Sequence, residues 1–172
     1  MARSELVVST PPEVVWEVLS EPQHYGHWVV GSSEIRGWDD NWPQPGSRFY
    51  HRVGFQPLTV ADHTEAVESE PSRRLVLRAK SRPLGVARVE LRLEPHPAGT
   101  LVTMIEDPAV PLGGILTPPP VHALIRLRNG ESLRRLRALA ERRLPAWSRG
   151  RERRRKKGAA RGRRSTAEGT TR

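Results

Sequence analysis

The 172-residue chain contains no cysteine, which excludes disulfides, cysteine-ligated zinc and thiol nucleophiles together. No stretch approaches the roughly 18 consecutive apolar residues of a membrane-spanning helix. The first ten residues hold Arg3 and Glu5 but no apolar run of the secretory kind, so the expected location is cytoplasmic. Lysine is scarce, three residues against 26 arginines, a bias that with the many alanines and prolines points to a GC-rich bacterial genome. There is no Gly-x-Ser-x-Gly elbow, and Gly113-Gly114 is followed by no Walker lysine, which removes the serine-hydrolase and phosphate-loop readings. His24 and His27 stand three apart, yet no third ligand at a familiar spacing completes a zinc site. The sequence therefore predicts neither a metal nor a cofactor.

What is abundant is positive charge, and it is segregated. The net charge is +10, but residues 145–172 hold 11 cations against Glu152 and Glu168. That leaves 18 cations and 17 anions in the first 144 residues, which are nearly neutral. The expected organisation is one domain over 1–144 and a basic tail over 145–172. Residues 148–172 carry almost no apolar side chain, too few to offset the entropy of ordering, so they read as disordered or as a few turns added to a preceding helix. Their function is either non-specific contact with nucleic acid or an anionic membrane, or mere solubilisation.

Within the domain, Leu6–Ser9 reads as a strand and Glu13–Leu19 as a short helix, with Thr10 as its cap and Pro11-Pro12 at its start. Val14, Val15, Val18 and Leu19 form an apolar stripe on a helix too short to stand alone, so it must lie on something larger. Tyr25 and Trp28 follow Pro22 as a second short helix. Period-two alternation then marks strands at 32–37, 48–54, 58–70, 74–80, 86–94 and 100–106. It is clearest in Ala87, Val89, Leu91 and Leu93 against Arg88, Glu90, Arg92 and Glu94, the mark of an antiparallel sheet with one wet face. After Thr117-Pro118-Pro119-Pro120 a long helix is expected from about Val121 to Arg143. One face of it bears His122, Ile125, Asn129, Ser132, Leu133, Leu136 and Ala140.

The pattern Val8-x-x-Pro11-x-x-Val14-x-Trp16-x-x-Leu19-x-x-Pro22-x-x-Tyr25-x-x-Trp28 resembles the opening of the SRPBCC superfamily, the helix-grip proteins that include polyketide cyclase/dehydrase-like families and START lipid-transfer domains. Gly46-x-x-Phe49-x-His51-x-Val53-Gly54, Glu106-Asp107-Pro108 and Arg128-Asn129-x-Glu131-x-Leu133-x-x-Leu136 extend the resemblance over residues 3–143. It implies an α+β helix-grip fold: a curved antiparallel sheet of six or seven strands around a long C-terminal helix, with two short helices after the first strand. A cavity between sheet and helix is implied as well.

Inward polar residues are then the informative ones: His51, Glu106, His122 and Asn129. Glu106 shares a face with Val102 and Met104, and paired with His51 across the sheet it would form an acid/base couple for enolising or dehydrating a bound ketone. The alternative is a structural carboxylate at the cavity mouth, paired with Arg128. Trp28, Trp38, Phe49, His51, Val53, Leu77, Val89, Leu91, Met104, Glu106, His122, Ile125 and Asn129 are the candidate ligand contacts. Trp38 and Trp42 flank a proline-rich loop and read either as a lid over an apolar ligand or as packing. Three functions stay open. One is binding a small hydrophobic molecule (lipid, aromatic or polyketide-like). Another is an aromatase/cyclase- or dehydrase-type enzyme using Glu106 and His51. The third is an adaptor acting through the basic tail.

Overall fold

The computed structural model describes residues 1–55, 58–81, 85–109 and 119–168. Seven strands form one antiparallel sheet: β1 (Ala2–Val8), β2 (Ser32–Trp38), β3 (Arg48–Phe55), β4 (Leu58–Glu70), β5 (Arg74–Ser81), β6 (Gly85–His96) and β7 (Gly99–Ala109). Their spatial order is β1-β7-β6-β5-β4-β3-β2, so a chain of hairpins is closed at one edge by the first strand. Between β1 and β2 lie α1 (Pro12–Leu19), a single 3₁₀ turn (Pro22–His24) and α2 (Tyr25–Trp28). The helix α3 spans Pro119–Glu168. This is the α+β helix-grip fold, and all six hairpin and edge pairings are in continuous antiparallel register except for shifts in β2/β3 and between Ala66 and Glu68 of β4. Such irregularities bend the strand that carries them, which suits a curved sheet.

Two compact units divide the chain, Met1–Glu141 and Arg142–Arg172. The backbone stays helical to Glu168, through the stretch that composition reads as unstructured.

The entry to α1 differs from the expected cap. Pro11 occupies the N-cap with extended geometry and no side-chain cap bond forms. Thr10 is drawn away because its carbonyl accepts from Thr100 Oγ1 at 2.6 Å, leaving its own hydroxyl buried without a partner among the described residues. Val14, Val15, Val18 and Leu19 are fully buried, as the stripe requires. At the other end of α1 the Leu19 carbonyl, free of an intrahelical partner, accepts from the Tyr25 hydroxyl at 2.8 Å and from Trp42 Nε1 at 3.3 Å. Tyr25, Trp28, Trp42 and Phe49 then stack with centroid separations of 4.6–5.7 Å.

The β6–β7 hairpin closes against β1 so tightly that Gly99 is required. A Cβ there would sit 2.2 Å from the Val8 carbonyl, and its φ of +134° is a conformation that other residues rarely adopt. On α3, Asn129, Leu133, Leu136 and Ala140 are buried at 1% exposure or less, so the predicted stripe faces the core.

Among the described residues, the wet face of the sheet carries one buried charge. Glu90 accepts from Arg74, Arg88 and Arg92 at 2.7–3.0 Å and is only 4% exposed. The Arg74 hydrogen bond is the main cause holding its pKa down to about 2.

Candidate functional site

A cavity of about 130 Å³ lies between the inner faces of β3–β7, the α2–β2 connection and α3. Its wall is mostly apolar, with Trp28, Phe49, Val53, Leu77, Val89 and Met104 prominent. These side chains arrive there because inward positions alternate along neighbouring strands, while α2 supplies the indole. The polar groups of the wall fall into two clusters.

The first is centred on His51. Its Nδ1 lies 2.6 Å from Ser32 Oγ and its Nε2 3.1 Å from Thr64 Oγ1. A neutral imidazole has one donor and one acceptor nitrogen, so one hydroxyl donates to the ring and the other accepts from it. Burial pushes the His51 pKa down to about 4, against a smaller opposing pull from the Asp62 carboxylate and with a further downward push from His63. At neutral pH the ring is uncharged and both nitrogens are engaged.

The second cluster is centred on Arg128. Its Nη2 donates to Glu106 Oε2, and Nε and Nη2 donate to Asn129 Oδ1 at 3.3 and 3.1 Å. Glu106 thus sits against a guanidinium, the arrangement expected of a mouth residue. It is 5% exposed, whereas the Arg128 side chain is 39% exposed. Ser132, one turn further along α3, accepts from the Val30 backbone amide at 3.1 Å and fixes the α2–β2 connection to the helix.

His51 and Glu106 do not meet. They stand on β3 and β7, separated in the sheet by β4, β5 and β6, four strand spacings of about 4.8 Å each. Both line the cavity, but the direct couple expected across the sheet is not formed.

Of the other expected contacts, Trp28, Phe49, Val53, Leu77, Val89, Met104 and Asn129 all line the cavity. Leu91 and Ile125 do not: Leu91 is wholly buried in the core beyond the void, and Ile125 is half-buried on α3. Trp38 is 46% exposed on the edge strand β2 and Trp42 is packed against Phe49, so neither ring covers the cavity. The His122 side chain lies outside the described residues. The sequence pattern does not single out Thr64, because the middle of β4 is polar on both faces, Asp62 and Thr64 inward and His63 and Glu65 outward, nor Ser32, which begins β2 beside the equally polar Ser33. Alternation gives no signal in such a strand.

Two donors in the wall have no acceptor. Trp28 Nε1 and Asn129 Nδ2 are buried and unpartnered among the described residues, a condition that costs about 1–3 kcal/mol for each group.

The family model described as polyketide cyclase / dehydrase and lipid transport matches residues 2–141. No curated protein matches the sequence. Among solved structures, the chain is similar to the Zhui aromatase/cyclase from Streptomyces sp. R1128, with 20% identity, 83% of this chain and 93% of that chain covered, and a TM-score of 0.62. It is similar to the di-domain ARO/CYC StfQ from the steffimycin biosynthetic pathway at 14% identity, covering 82% of this chain and 50% of that one, with a TM-score of 0.64. Protein NE0264 from Nitrosomonas europaea matches at 20% identity over 81% and 93% of the two chains, with a TM-score of 0.62. At these identities the likeness is one of fold.

Proposed function

Because the chain belongs to the polyketide cyclase / dehydrase and lipid transport family, we propose that it binds a small, largely apolar molecule in the cavity between sheet and α3. The observation that carries this reading is the void itself, walled by Trp28, Phe49, Val53, Leu77, Val89 and Met104. An apolar void offers a matching ligand burial from water without displacing tightly held solvent. A carrier or sensor is favoured over a cyclase because the two candidate proton-transfer groups are already committed: His51 to two hydroxyls and Glu106 to Arg128. Calorimetric titration with ethylbenzene tests it. Saturable one-to-one binding that disappears in Ala87→Trp, which fills the void, is expected; no heat of binding to the wild-type protein contradicts it.

A second reading concerns Arg142–Arg172, where 13 cations face two acids while residues 1–141 hold 16 cations and 17 acids. This unit is proposed to contact nucleic acid through the phosphate backbone. Beyond Trp147 its sequence has no large apolar residue, which disfavours insertion into a membrane interface. Affinity for a DNA duplex should fall steeply with salt, because each neutralised phosphate releases a counterion. Binding to vesicles of anionic lipid in preference to duplex, or no binding at low salt, contradicts this reading.

A further inference from the structure

The unmatched donors in the cavity wall carry information about what the cavity takes. Asn129 is 1% exposed, and its Oδ1 is held by Arg128. A side-chain amide bears its acceptor and its donor on opposite limbs, so fixing Oδ1 on the guanidinium turns Nδ2 away from that pair. Among the described residues it has no acceptor there, and neither has Trp28 Nε1. Buried donors in native proteins are almost always matched, and an unmatched one beside a void asks for an acceptor from outside the chain.

The charges at the wall, in contrast, are balanced. Arg128 and Glu106 neutralise each other, and His51 is uncharged at neutral pH. Lys80 contributes to the rim, but strand alternation sets its side chain on the face opposite Leu77 and Ala79, where its charge bears on His63. Among the described residues, nothing in the wall offers an uncompensated cation or anion to a charged ligand. The volume, about 130 Å³, is close to that of an engineered cavity of about 150 Å³ that admits benzene.

We propose that the cavity selects a neutral molecule about one aromatic ring in size that carries a carbonyl group, whose oxygen accepts from Nδ2 of Asn129. The inference rests on the cavity being a binding site and adds the chemical class of its ligand. Asn129 is a specificity-determining residue in this account, supplied with its orientation by Arg128.

The test uses the full chain and four probes of similar size: acetophenone, ethylbenzene, benzoate and benzylamine. Comparing the acetophenone-to-ethylbenzene affinity ratio in wild type and in Asn129→Leu cancels the different costs of moving the two probes out of water. One hydrogen bond predicts that the ratio falls about tenfold in the variant. The carbonyl stretch of ¹³C-labelled acetophenone should move to lower frequency in the wild-type complex and return toward its hydrocarbon-solvent position in Asn129→Leu. Benzoate and benzylamine should bind at least tenfold more weakly than acetophenone. An unchanged ratio, a carbonyl shift that persists in the variant, or benzoate binding as well as the ketone overturns the inference. Those results would leave cavity binding intact provided ethylbenzene still binds. Should Asn129→Leu fail to fold, the wild-type infrared band alone decides: a band at its hydrocarbon-solvent position overturns the proposal. Failure of all four probes to bind overturns both this inference and the function it rests on.

Discussion

Ser32 Oγ lies 2.6 Å from Nδ1 of His51, joining the first residue of β2 to the middle of β3 inside the cavity wall. With Thr64 on the other nitrogen, the ring is held by two groups that can each reverse their donor role. A neutral imidazole is satisfied here, and an imidazolium would require both hydroxyls to accept.

His51 therefore makes stability depend on pH in a definite direction. Its folded pKa, about 4, lies below the ordinary 6.5, so between those values the unfolded chain binds the extra proton. This contribution to stability is full above pH 6.5, falls as pH drops through that window, and levels off below 4, with a loss of roughly 3 kcal/mol as the upper bound. Urea unfolding at pH 7 and pH 4.5 should show the loss, and His51→Gln should reduce it. An NMR titration in which the His51 ring protonates near pH 6.5 would refute the assignment.

Arg128 joins β7 to α3. Its replacement by alanine leaves Glu106 buried without a counter-charge and Asn129 Oδ1 without a donor. Because the arginine is partly exposed, the expected cost is about 1–3 kcal/mol rather than the full penalty of a deeply buried pair. Combining Arg128→Met with Glu106→Gln should cost less than Arg128→Met alone, measured by chemical denaturation. Strict additivity would show that the two residues do not interact.

Glu90 gives a second pH-dependent contribution with the usual carboxylate sign. Its pKa is held at about 2, below the ordinary 4.5. Stability from the arginine cluster is thus present above pH 4.5 and is lost as pH falls toward 2. Glu90→Gln should cost about 1–2 kcal/mol at pH 7 and flatten the acid limb. Glu70→Gln, whose carboxylate is much more exposed and 3.8 Å from Arg74, should change little.

Gly99→Ala places a methyl against the Val8 carbonyl. A loss of about 2 kcal/mol or more is expected, since both the contact and the backbone conformation are strained. A thermal midpoint within a degree of wild type would contradict the tight β1–β7 closure.

The fold was legible where the sequence repeats a physical signal. Ala87, Val89, Leu91 and Leu93 alternate cleanly, and the Val14–Leu19 stripe could only be a covered helix. The site was legible in part, because alternation reports which face a residue occupies and not how far along a curved sheet it lies. Leu91 shares a face with Val89, yet only Val89 reaches the void. Trp38 carries a ring that suits a lid but stands outward on an edge strand. The separation of His51 from Glu106 depends on strand order, which no local pattern encodes. Ser32 and Thr64 became visible only as the two neighbours of the His51 ring.

The central claim is that an apolar molecule enters the cavity, and Met104 reports on it directly. The chain has two methionines, one in the cavity wall and the other at the terminus, 76% exposed. A ¹³C-methyl-methionine spectrum therefore contains a probe and its own control. Titration with ethylbenzene should shift the Met104 methyl saturably, with ring-current displacement, while Met1 stays fixed. An unmoved Met104 resonance at saturating ethylbenzene would contradict the account.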